Sequence, residues 1–433
     1  MKQFNDDKGY ALAAALGAIA LVTIIAMTSY ALAQRSVDQA GTESFSNRAY
    51  QVAASALEYE TSRFENGATL VSANGQTLPQ GGTFDFTFTT SGEGRVMLKC
   101  TATLGGKTES VSVEYLSLDL ADTVYSGSGS AGMFGGSYFN SPDSMIIGPL
   151  YLKLNTGETI NPNSSMSFID GPLYIENGSI SAKGGVSWIH TSKVSSYNVY
   201  TDNDPSGLPT GVNVYPLGAK ITAPTITDAF ETSLKSLAQA AGQYYEGTTH
   251  IGGTGAKFPA DSNGVLNASG TIFVKGRAIV DAAVTGYKGQ FTIYATDGIT
   301  VNGRLLPADF VSSGGTQSGT YDSYYQSESA VTLPQVHDGY CATLISRGPI
   351  NSTWSAGNSN GSSEDFAFCG AMFTGSSIVF QSSLRGSIIA GGSLGPGKKI
   401  ILATQNNLRQ YLPDAVKELF TRVLARENWV RGN

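Results

Sequence analysis

The chain has 433 residues, with 52 glycines and 21 tyrosines, and only 14% of them are Asp, Glu, Lys or Arg. Little charge and much glycine suit strands joined by tight turns and exclude a helical bundle, and 41% hydrophobic content excludes a disordered chain. A net charge of −7 excludes the basic patch of a nucleic-acid binder, and three cysteines with three histidines cannot build a set of zinc sites, so neither nucleic acid nor a cofactor is expected.

Residues 9–34, GYALAAALGAIALVTIIAMTSYALAQ, are 26 consecutive uncharged positions. As a helix at about 1.5 Å per residue they reach roughly 39 Å, more than the ~30 Å hydrocarbon layer. Leu12, Leu16, Ile19, Leu21, Val22, Ile24, Ile25 and Met27 supply the apolar surface, and the alanines with Gly17 keep the helix thin enough for close packing. Three membrane readings are open. Ala31-Leu32-Ala33 suits a cleaved secretory signal. A plain anchor is also compatible, with Lys2 and Lys8 before the segment and Arg35 and Arg48 after it giving no orientation. The third is a retained helix behind a short polar leader ending at Gly9. Residues 34–65 favour the third, because Phe45, Ala49, Val52, Ala56, Tyr59 and Phe64 recur at helical steps without an intervening Pro or Gly. Asn66-Gly67 closes this predicted helix.

Lys8-Gly9-Tyr10 resembles the leader junction of the PilX-type minor pilins of type IV pilus systems, and Arg48-Ala49-Tyr50-Gln51-Val52-Ala53-Ala54-Ser55-Ala56-Leu57-Glu58 resembles their helix motif. The resemblance implies processing between Gly9 and Tyr10, a retained helix over 10–66, and other pilin subunits and the membrane as partners. It also implies a cell-membrane location with the bulk of the chain extracytoplasmic. Ala14 stands where major pilins carry an acid and Ser55 where the minor ones do, which implies occasional incorporation into a filament.

After a leader at 1–9 and the helix at 10–66, residues 67–120 read as a small antiparallel sheet. Phe84, Phe86 and Phe88 alternate with polar residues, as do Val96, Leu98 and Cys100, and Val111, Val113 and Tyr115 follow the Gly105-Gly106-Lys107 turn. Residues 121–144 are a Gly/Ser linker. Over 145–404 an internal repeat appears: Gly148-Pro149-Leu150-Tyr151 recurs as Gly171-Pro172-Leu173-Tyr174. An eight-residue unit recurs as SWIHTSKV (187–194), TIYATDGI (292–299), TLISRGPI (343–350), AMFTGSSI (371–378) and SIIAGGSL (387–394), with TIFVKGRAI (271–279) one residue longer. Short strand, turn, short strand is one coil of a parallel β-helix, whose apolar positions are buried only by stacking. The fold class expected is therefore mainly β: a pilin-like helix with its small sheet, then a parallel β-helix, an arrangement that also resembles the β-helical domains attached to PilX-type N-termini. Two capping helices are expected, one over 228–241 behind Thr227 with Phe230, Leu234, Leu237 and Ala241 on one face, and an amphipathic one within 405–433 opened by Pro413.

Motifs for chemistry are weak. Gly127-Ser128-Gly129-Ser130-Ala131-Gly132 matches a phosphate loop without a following helix, and Gly357-Asn358-Ser359-Asn360-Gly361 matches a nucleophile elbow with no histidine downstream. Asp202-Asn203-Asp204-Pro205-Ser206-Gly207 begins like a calcium loop, making Asp202 and Asp204 candidate ligands, but Asn213 replaces the closing Glu. Glu176, Asp281 and Asp297 stand apart in sequence, as do His190, His250 and His337. Cys341 and Cys369 precede successive repeats by the same two residues, so stacking brings them within range of a disulfide or leaves them as adjacent thiols; Cys100 is expected as a buried thiol. The insertion Tyr321-Asp322-Ser323-Tyr324-Tyr325 suits an adhesive loop or packing on the flank. These readings point to a structural and adhesive surface protein, without catalytic residues, whose ligand is a surface glycan or protein. The alternative from another class is a membrane-anchored β-helix enzyme acting on polysaccharide.

Overall fold

The computed structural model describes residues 6–65, 68–79, 82–91, 94–128, 144–162, 166–189, 197–312, 333–355, 366–396, 401–405, 407–426 and 430–432. His190, the Tyr321–Tyr325 insertion, the 357–361 motif and most of the Gly/Ser linker lie outside these residues. The chain folds into two units, one from residues 1–91, 95–115 and 426–433, the other from 92–94 and 116–425.

In the first unit one helix, α1 (Asp6–Glu65), precedes four strands: β1 (Ala73–Thr77), β2 (Thr83–Ser91), β3 (Arg95–Leu104) and β4 (Lys107–Asp119). The β1–β2 and β2–β3 pairs are antiparallel, and Val430–Gly432 adds antiparallel to β4. The expected alternation holds for Phe84, Phe86, Val96, Leu98, Cys100, Val111, Val113 and Tyr115, which are buried, while Phe88 is only half-buried. The α1 stripe is rotated from the expected one. Ala49, Ala53, Ala56, Leu57 and Phe64 are buried, whereas Phe45 and Tyr59 are 41% and 44% exposed. Small side chains win these positions because they let the helix backbone approach the sheet closely, which a Tyr would prevent.

The second unit is built on parallel ladders. Its longest sheet contains β5 (Val124–Ser126), β6 (Leu150–Lys153), β7 (Leu173–Glu176), β8 (Tyr197–Thr201), β9 (Val212–Pro216), β10 (Tyr244–Glu246), β11 (Gly270–Lys275), β12 (Gly286–Ala295), β13 (Tyr340–Ser346), β14 (Phe366–Thr374) and β15 (Ser383–Ala390). Their order in space is β9-β8-β7-β6-β5-β15-β14-β13-β12-β11-β10. The first run of strands thus grows away from β5, the second grows back toward it, and β5 pairs with β15 in parallel. A second sheet of seven parallel strands runs from Phe258–Pro259 to Leu394–Pro396.

Side chains alternate between the two faces of the long sheet, and each face carries an in-register ladder. Facing the main core are Val199, Leu173, Leu150, Val124, Ile388, Met372, Leu344, Ile293 and Ile272. The opposite ladder reads Tyr215, Tyr200, Tyr174, Tyr151, Tyr125, Ile389, Phe373, Ile345, Tyr294, Phe273 and Tyr244. Neighbouring rings stack, with centroids 5.2 Å apart for Tyr125–Tyr151, 5.1 Å for Tyr174–Tyr200 and 4.8 Å for Phe273–Tyr294. The apolar pairs of the octamers, Ile272-Phe273, Ile293-Tyr294, Leu344-Ile345, Met372-Phe373 and Ile388-Ile389, lie in these parallel strands.

The octamers align position for position. Thr292, Thr343, Ala371 and Ser387 share one rung position, and Ile299, Ile350, Ile378 and Leu394 share the closing one. The longer unit, 271–279, is an ordinary octamer ending at Ala278, which pairs with Ile299, and Ile279 faces out. Ser187–Ile189 belongs elsewhere: it pairs with Ser167–Ile169, which pairs with Met145–Ile147. The GPLY repeats stack directly, and a Cβ on Gly171 would sit 2.2 Å from the Gly148 carbonyl carbon, so glycine is needed there.

The two punctuating helices differ from expectation. Thr227 does cap α2 (Asp228–Ala240), accepting from the Phe230 N–H at 3.1 Å, but Phe230, Leu234 and Ala238 are buried while Leu237 is 47% exposed. The helix lies on the tyrosine face of the long sheet, with Phe273 and Tyr294 in the same cluster. The expected C-terminal helix within 405–433 is instead two short 3₁₀ segments, Leu408–Tyr411 and Asp414–Phe420, followed by strands Arg422–Arg426 and Val430–Gly432. Val416, Leu419 and Phe420 are buried as the apolar pattern required, and Thr421 then turns extended, so strand pairing overrides the rest of the helical pattern.

Candidate functional site

The feature of α1 that asks for a partner is its first half. Leu16, Ile19, Leu21, Val22, Ile24, Ile25 and Met27 are each more than half exposed, and none of the described residues covers them. The helix is long and apolar enough to cross a membrane. Three of its hydroxyls bond within it: Thr23 donates to the Ile19 carbonyl and Thr28 to that of Ile24, both at 2.7 Å, and Ser36 donates to that of Leu32 at 3.0 Å. That back-bonding removes the need for water at these three positions. Gly9 and Tyr10 lie in the first turns of the same helix, which runs through the candidate cleavage point without a break.

Below the exposed half, the buried motif residues Ala49, Ala53, Ala56 and Leu57 lie on the side of α1 that packs on the sheet, while Arg48, Gln51 and Glu58 face out. Glu109 on β4 gathers the surrounding elements: it accepts from Ser46 of α1 and from Arg431 at 3.1 and 3.0 Å. These bonds, that of Ser46 first, hold its carboxyl below the ordinary range. The Arg431 guanidinium also lies 4.6 Å from the centre of the Tyr50 ring. Glu60 is buried and paired with Arg63 at 2.8 Å, beside Cys100.

The other candidate residues sit apart from this element. Asp202 accepts from the Asn177 N–H at 2.7 Å and faces Lys220 at 3.3 Å, so a cation already occupies its carboxylate; the Asp204 backbone carbonyl accepts from Ser179 at 2.8 Å, and its side chain is exposed. Among the described residues no group of three or more His, Cys, Asp and Glu is placed to hold a metal. Cys341 and Cys369 lie one residue before the paired Ala342 and Gly370, on the same face, and both are buried free thiols. The disulfide does not form in this structure. Directly opposed positions on parallel strands keep their Cβ atoms about a strand spacing, ~4.8 Å, apart, whereas a disulfide needs roughly 3.8 Å.

Several pairings were invisible in the sequence. His250 meets Asp281 at 2.7 Å and His337 meets Asp309 at 2.9 Å. Glu176 is buried, accepts from the Tyr151 hydroxyl at 2.8 Å and pairs with Lys153 at 3.2 Å. The His250 and Glu176 pairs join neighbouring strands, and the His337 pair closes the connection between Gly298–Val301 and β13, so only the fold reveals them.

No protein-family model matches this chain, and no curated protein matches it. Among solved structures it is similar to the competence-associated pilin ComZ from Thermus thermophilus, at 12% identity over 90% of this chain and 97% of that one, with a TM-score of 0.46.

Proposed function

We propose that the chain is a pilin-like surface protein, a PilX-like minor pilin or pseudopilin, that enters the membrane and a helical filament core through the first half of α1. The observation that supports this reading is α1 itself: one unbroken helix, apolar and uncovered over residues 14–34, then docked by its small residues on an antiparallel sheet. A removable signal has no use for a continuation that packs into the folded protein. The partners are other subunits of the same helical type, which cover the exposed alanine-rich surface by close packing. We also read the second unit as a parallel β-helix, a reading supported by the octamers stacking rung on rung in two sheets. Its work is display of a binding surface for a glycan or protein ligand, held outside the membrane.

The test is the double variant Leu21→Asp with Ile25→Asp. Charges at mid-helix oppose insertion at roughly 2.5–3.5 kcal/mol each. The variant should disappear from both the carbonate-washed membrane pellet and the filament fraction sheared from cells. Undiminished recovery in the sheared fraction would overturn the reading.

A further inference from the structure

The second unit consists of two runs of coils meeting at one seam. Across the seam, Val124, Tyr125 and Ser126 pair with Ile388, Ile389 and Ala390, and Met145–Ile147 pairs with Ile401–Ala403. The chain leaves the first run at β9, at one end of the long sheet, and enters the second at β10, at the other end. The connection over residues 217–243 therefore has ten strand spacings, about 48 Å, to cover. Its extended part, 217–227, reaches about 36 Å, and the 13 residues of α2 add about 20 Å.

This connection is bound along its path. Leu217, Ala219 and Ile221 alternate inward and are buried on the tyrosine face. Ile221 is fixed from both sides: its N–H donates to the Tyr151 hydroxyl at 3.0 Å and its carbonyl accepts from the Tyr125 hydroxyl at 3.3 Å. Lys220 reaches Asn177 at 2.6 Å. All these partners belong to the first run. Beyond the seam the grips belong to the second: Glu231 accepts from the Tyr294 hydroxyl at 2.8 Å and meets Arg347 at 2.6 Å, and Arg347 also bonds Asp228.

We infer that residues 217–240 are a clasp across the seam that makes the two runs of coils open together. A stack of coils held only by neighbour contacts loses its weaker part first. A strap anchored on both sides ties the opening of one run to that of the other.

Native-state hydrogen exchange of the full chain in detergent micelles, followed against denaturant, tests this. Peptides covering β8 and β12 should lose protection at the same denaturant concentration. Val199→Ala, in the first run only, should speed exchange in both peptides by a similar factor, about tenfold or more. When it is combined with Ile221→Asp, the effect should be confined to β8. Tyr151→Phe, which removes one anchoring hydroxyl, replaces Ile221→Asp if that chain does not fold. Separate opening of the two runs in the unaltered chain would overturn the inference, as would a Val199→Ala effect that still reaches β12 in the clasp variant.

Discussion

Burial sets the chemistry of single side chains in this protein. Cys100 is pushed up from the ordinary 9.0 to about 12 by burial first and by Glu60 second, and burial carries Cys341 from 9.0 to about 12. Both remain protonated in the folded chain at pH values where the unfolded chain has released the proton. The stability they contribute is complete below about pH 9 and is lost as pH rises through about 12. Denaturation midpoints should therefore fall steadily above about pH 9, and Cys100→Ala should flatten that slope. The thiols also report on themselves: a maleimide should modify none of them in the native protein and all three after denaturation, whereas a single modified cysteine would show that Cys341 and Cys369 are bonded. Cys100 was legible as a buried thiol because it alternates with Met97 and Lys99 on one strand. The Glu176 pairings were not legible, because their partners come from other coils.

Elements are held by close approaches that few side chains permit. Gly105, in the turn between β3 and β4, has φ +54°, and a Cβ there would come within 2.7 Å of the Phe45 ring. Gly105→Ala should cost about 1–3 kcal/mol in chemical denaturation, from backbone strain and from overpacking. At the end of the long sheet, β9 is an exposed edge with Val214 and Tyr215 about two-fifths exposed. The Leu217 N–H bonds the Thr201 carbonyl, so residues 213 and 215 also bond inward, and Pro216 stands at an outward position. A proline there removes a donor that another strand would use. Pro216→Val should raise self-association, read as a concentration-dependent shift in sedimentation; an unchanged profile would show that the edge is protected otherwise. The octamers made β11 to β15 legible, since turn residues and apolar pairs recur at fixed offsets. The C-terminal helix misled because its apolar spacing covers only two turns, after which pairing with β4 decides the conformation.

At the scale of the whole molecule, the sequence shows coils but not their order. Val124 lies outside every octamer, so no local signal says that Ile388 pairs with it. The long connection between β9 and β10 was read as a capping helix for the same reason: its length matches the sheet only once the sheet is known. The N-terminal element was the most legible part, because 26 uncharged residues followed by a helical stripe have few physical uses. The account's central claim is that this element is kept as a working part of the mature protein. Mass spectrometry of the N-terminus of the protein purified from cell membranes tests that claim most directly. It should begin at Tyr10, with the apolar helix intact; an N-terminus at Gln34, with the helix removed, would contradict the account.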